Sequence, residues 1–161
     1  MKGTILDIMM LGIFIAVILI TVILASTILS EFQTHISDAG NQSLNITYFE
    51  KGVEALALFN YGILMIFIMG IIGAVLLAYY SNVNPAFIIT SIILLVVVVA
   101  IIAPIITNMY FEITDASSIS TTASTFGIGE LLMQNMPLFM SIGGALVIIA
   151  LYMRTRGNTS A

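Results

Sequence analysis

The chain has no cysteine, no tryptophan and a single histidine, His35. Without cysteine there is no disulfide, thiolate metal site, iron–sulfur ligation or cysteine nucleophile, and the redox compartment is left open. One histidine builds neither a His-rich metal centre nor a paired haem ligation within one chain. Charge is equally scarce: Asp, Glu, Lys and Arg make up 7% of residues, where a soluble domain carries about 25%. Four basic residues stand against eight acidic ones, a net charge of -4, so the basic footprint of a nucleic-acid binder is missing. With no tryptophan, an interfacial aromatic belt must come from Tyr and Phe.

What is present is apolar. Hydrophobic residues are 60% of the chain and the mean hydropathy is +1.18. Four runs, at 8–29, 55–80, 86–109 and 131–153, approach or exceed the roughly 20 residues that cross a bilayer core as a helix. They predict an all-α fold, a four-span transmembrane helical bundle forming one domain over 1–161. The first run, with 22 residues, exceeds the about 7 to 15 apolar residues of a cleavable signal peptide and reads as a retained span. Polar segments at 30–54 and 110–130 read as loops. Lys2 at one end and Arg154 with Arg156 at the other place both termini on the inner, cytoplasmic side by the positive-inside rule. The acidic loops then lie outside, where Lys51 is flanked by Glu50 and Glu54.

Three prolines punctuate the spans. Pro85, after Asn84, restricts that residue to extended geometry and suits the first helical turn that follows, giving a tight turn between spans two and three. Pro104 removes a backbone donor and is expected to bend span three or end its regular part. Pro137 leaves two readings of span four: one kinked helix, which is favoured, or a short interfacial segment ending near Asn135 followed by a span from Pro137.

No Asp, Glu, Lys, Arg or His lies inside the predicted spans. Intramembrane ionisable groups are the usual mark of proton relays and ion paths, so a proton-coupled transporter, a rotary-ring subunit and an intramembrane aspartyl protease are disfavoured. Ser91 and Ser141 are in spans, but a serine nucleophile needs a nearby base and His35 is in a predicted loop. No catalytic residue, cofactor-binding residue or metal ligand is assigned, and no cofactor is expected. The chain is read as not an enzyme. Asn60 and Tyr61 could bind a ligand, but hydrogen bonding to a neighbouring helix is the favoured reading. Glu112, Asp115 and Glu130 could form a cation site, yet lack the dense Asp/Asn pattern of a calcium loop and read as a solvated acidic face. The ten methionines read as adaptable packing side chains.

Small residues allow close helix approach in lipid. Gly12 with Ala16, Gly70 with Ala74 beside Gly73, and Ser141 with Ala145 flanking Gly143 and Gly144 predict packing faces in a compact bundle or a homo- or hetero-oligomer. Sequons at Asn41 and Asn45 fall in the predicted outer loop and are topologically accessible to glycosylation; a third, at Asn158, falls on the inner tail.

The stretches Asn84-Pro85, Asn108-Met109-Tyr110 and Asn135-Met136-Pro137, followed by a Gly-rich apolar segment and Tyr152-Met153-Arg154, resemble small virion membrane proteins of membrane-containing archaeal and bacterial viruses. The resemblance covers about residues 55–156. It implies a non-enzymatic structural or assembly protein embedded in the lipid bilayer of a virion, with its loops against coat proteins. Two alternatives fit the same features. One is an accessory subunit of a large membrane complex in a cell membrane. The other is a channel or holin-like pore, with Asn60, Thr90, Ser91 and Thr107 along a polar path.

Overall fold

A computed structural model describes residues 5–38, 46–81, 84, 86–116 and 119–158. Its elements are all helical: α1 (Ile5–Asp38), α2 (Ile46–Tyr80), α3 (Ala86–Val97), a π-helical turn (Val98–Ile102), α4 (Ala103–Thr114), α5 (Ser120–Ala123), a 3₁₀ turn (Ser124–Phe126), α6 (Gly127–Gln134) and α7 (Met136–Asn158). No strand occurs among the described residues. Four helical stretches are long and apolar enough to cross a membrane: Ile5–Ile36, Glu54–Tyr80, Ala86–Thr114 and Met136–Arg156.

The helices overrun the apolar runs. α1 has 34 residues, about 51 Å at 1.5 Å per residue, against a hydrocarbon core of about 30 Å. It continues from the apolar run through Glu31, Gln33, Thr34 and His35, because none of these breaks a helix, and the Thr34 hydroxyl donates back to the Ser30 carbonyl at 3.0 Å. His35 therefore sits in the last turn of α1, where its basic ring suits the carbonyl end of the helix, and not in a loop. α2 begins at Ile46, so the segment 30–54 is largely helical at both ends. The segment expected as a loop over 110–130 is likewise mostly helix, from the end of α4 through α5 and α6.

Pro104 leaves the third span continuous, but regular α geometry stops at Val97 and gives way to a π turn over Val98–Ile102 just before this proline. Its ring nitrogen offers no proton to the carbonyl of Ala100, and the turn before it widens so that the Ala103 N–H pairs with the Val98 carbonyl five residues back. A π turn of this kind absorbs a local misfit within a continuing helix. Pro137 has the larger effect. The favoured single kinked helix is replaced by two helices, α6 and α7, separated at Asn135, whose backbone leaves helical geometry at φ -103°, ψ 18°. The Asn135 amide and its side-chain Nδ2 both donate to the Leu131 carbonyl, at 3.2 and 2.9 Å.

At the other turn, Asn84 starts α3. Its side-chain Oδ1 accepts from Ala86 N at 3.1 Å, and its carbonyl from Phe87 N at 2.8 Å, the role of an N-cap asparagine. Pro85 lies outside the described residues.

The bundle packs α1 against α2 and α7, α2 against α7, and α3 against α7. At one level, Gly12 of α1 faces Met140 of α7, Gly70 of α2 faces Leu11, Gly143 faces Ile71 and Gly144 faces Leu95. A level nearer the α4–α6 corner is closed by Leu19 of α1 against Gly129 of α6. Ile8, Ile15, Ile63, Phe67, Val98, Met136 and Val147 fill the core between them. Phe67 and Phe139 meet edge to face with centroids 5.6 Å apart, a favourable aromatic geometry.

Candidate functional site

Polar interactions between distant parts of the chain concentrate at the corner where α4, α5 and α6 meet. The first amides of a helix have no intrahelical acceptor, and α6 starts at Gly127 with no side-chain cap of its own. Asn60 of α2 fills that role: its buried Oδ1 accepts from the Gly129 amide at 3.1 Å. The other end of α6 has the complementary defect. Pro137 has no N–H to offer the Met133 carbonyl four residues back, and the Thr107 hydroxyl of α4 donates to that carbonyl at 2.9 Å. Two side chains from other helices thus each pair one backbone group near an end of α6.

One turn further along α4 lies a small pocket of about 110 Å³ lined by Tyr110, Thr114, Asp115, Ser120, Ala123, Ser124 and Glu130. Tyr110 is 1% exposed and its buried hydroxyl has no hydrogen-bond partner. Thr114 donates to the Tyr110 carbonyl at 3.0 Å and Ser124 to the Thr121 carbonyl at 2.7 Å. Their protons are thereby used on backbone, and only their lone pairs remain. Of the three carboxylates noted in the sequence, Asp115 and Glu130 line this pocket and Glu112 does not; all three are exposed.

The small residues divide by position. Gly12, Ala16, Ala74, Gly143 and Gly144 are buried in the bundle, and Gly70 is held close to Leu11. Gly73 has open space where a Cβ would stand, Ala145 is exposed, and Ser141 is half-buried. Tyr61, beside Asn60, is exposed. Asn41 and Asn45 lie outside the described residues. Gly129, Ser120 and Ser124 were not singled out by sequence, and Tyr110 entered only as the end of the Asn108-Met109-Tyr110 stretch. A signal did exist for Thr107: counting four residues back from Pro137 identifies Met133 as a carbonyl in need of a donor, although nothing local says which helix supplies it.

The arrangement defines an all-helical protein with four helices long and apolar enough to cross a membrane. Among the described residues, no group of three His, Cys, Asp or Glu side chains is placed to hold a metal ion. No protein-family model, curated protein or solved structure matches the chain.

Proposed function

We propose that this chain is a non-enzymatic structural or assembly protein of a lipid membrane, a virion membrane component whose outer segments contact coat proteins, as its resemblance to small virion membrane proteins implies. In this reading it crosses the bilayer four times with both termini on the inner side. The observation that carries the non-conducting part is the fate of the polar side chains that a pore would need. Asn60 accepts from Gly129 and Thr107 donates to Met133. Thr90 is exposed on the outside of α3 and bonds back to the Ala86 carbonyl at 3.5 Å, while Ser91 is buried on that helix. They point to separate tasks, and apolar side chains occupy the core between the glycine contacts. A polar path needs several such groups facing one lumen.

Purification from the native membrane or particle with mild cross-linking, paired with a flux assay in liposomes, tests the reading. Cross-links to coat proteins and flux equal to that of empty vesicles are expected. Selective flux above that control overturns it in favour of a pore, and co-purification with redox or transport subunits overturns it in favour of an accessory subunit.

A further inference from the structure

We propose that the π turn of the third span is a register switch, at which α4 changes between two ways of facing the bundle. The burial pattern shows what the turn does. Ser91 and Val98 are buried before or at its start, and Ala103, Tyr110 and Thr114 are buried after it. An α-helix returns one face every three, four and seven residues, whereas Val98 and Ala103 are five apart. The turn therefore holds one residue more than an α turn, as the bond from the Ala103 N–H to the Val98 carbonyl requires. One residue of an α-helix is about 100° of rotation and about 1.5 Å of rise. That rotation is the reason Thr107 meets Met133 and Tyr110 is enclosed.

Continued without the extra residue, the buried face would run from Val98 through Ile102, Ile105, Met109 and Ile113, at helical spacing. All four are apolar. Ile105 and Met109 are more than half exposed in the present register, so they are free to turn inward as Thr107, Tyr110 and Thr114 turn outward.

The two registers have opposite merits. The present one accommodates Pro104, whose ring and missing N–H disturb a regular α turn, and it makes the bond between Thr107 and Met133. It also encloses the Tyr110 hydroxyl with no hydrogen-bond partner among the described residues, an unfavourable state for a donor. In the other register that hydroxyl, close to the end of α4, turns out of the bundle, and the Thr107 bond is given up. Neither register needs a strained backbone. Val97 and Ala103, which flank the turn, lie at φ -63°, ψ -44° and φ -62°, ψ -45°, ordinary α-helical values. Packed helices of this kind rest in discrete arrangements, and because Thr107 pairs with α6 in only one of them, the turn governs the hold of α4 on α6. The switch is internal to one chain and does not depend on the assembly reading above.

The test uses single-cysteine versions of the full chain in detergent micelles, with no native cysteine to compete, and N-ethylmaleimide as a small permeant reagent. In an otherwise unchanged chain Met109→Cys, at an exposed position, reacts fast and Thr114→Cys, at a buried one, slowly. Pro104→Ala removes the residue that favours the wide turn. The rate at position 114 then rises at least about tenfold, since a proline disfavours a regular helix by more than that factor, while the rate at position 109 falls. Deleting Ala100 from the Pro104→Ala chain takes the extra residue out, so a regular helix again presents position 114 inward and both rates return to their starting values. A general loosening would raise both rates and would not be reversed by a deletion. Thr107→Val, which removes a bond made in the present register alone, moves the two rates in the same directions as Pro104→Ala. Helical circular dichroism confirms that each variant is folded. Rates that Pro104→Ala and Thr107→Val leave unchanged, that rise together, or that the deletion does not restore overturn the proposal and leave the π turn as a fixed accommodation of Pro104.

Discussion

At the scale of single residues, what a glycine is worth depends on whether the atom opposite it is able to move. Gly129 faces Leu19, which is 0% exposed, so a methyl group there has nowhere to push. Gly12 faces the end of Met140, also enclosed, but a methionine side chain has more rotatable bonds and adapts more readily. Gly73 faces open space. Gly129→Ala is therefore expected to destabilise the folded protein by about 1–3 kcal/mol, the usual cost of overpacking, and Gly12→Ala by less. Gly73→Ala should stay within about 0.5 kcal/mol, as for a surface site. Unfolding by SDS titration from mild micelles, followed by circular dichroism, measures the series. Equal losses at Gly129 and Gly73 would remove the packing account.

At the scale of elements, α6 is a short helix of eight residues that cannot hold itself together, since isolated helices shorter than about 12–15 residues are marginal in water. One backbone group near each end is paired from α2 and α4, and the Thr107 bond compensates for the proline that starts α7. Thr107→Val keeps the shape of the side chain and removes the hydroxyl donor to the Met133 carbonyl, which the Asn135 amide still approaches, at an expected cost of about 0.5–1.5 kcal/mol. Pro137→Ala restores an amide that can reach the same carbonyl. Thr107→Val made on the Pro137→Ala background should then cost less than half as much. A double-mutant cycle should read a coupling of about 0.5–1 kcal/mol, the low end for groups that share a partner. Identical costs in both backgrounds would show that the hydroxyl does not stand in for the missing amide.

At the scale of the whole molecule, the proposed topology has a direct test that the composition makes simple. With no native cysteine, each engineered one is the only thiol. Glu112→Cys near the end of α4 and Arg156→Cys near the end of α7 are both at exposed positions. In sealed vesicles an impermeant maleimide should label position 112 from the outer face and position 156 only after the membrane is opened. Labelling of both from one face contradicts four crossings. The third span is the least enclosed of the four, and its outward residues Ile89, Ile93 and Val96 are apolar enough to face lipid or a neighbouring protein.

The four apolar stretches were legible from length and hydropathy alone, because a bilayer imposes an element length that shows directly in the order of residues. So was the start of the third span beside Asn84, where capping chemistry is local. The helix ends were not, since hydropathy changes at the membrane surface while backbone geometry does not have to. Pro104 and Pro137 show the same division. Both remove a donor, yet one is absorbed by a π turn and the other separates two helices. The sequence determined that this chain is helical, apolar and free of charge inside its four apolar runs, since these follow from composition and spacing. Only the tertiary structure decided that Asn60 and Thr107 pair backbone groups of α6, that Leu19 is closed against Gly129, and that Asp115 and Glu130 share a pocket with a buried Tyr110. Those relations join residues far apart in the chain, and they depend on which helix faces meet.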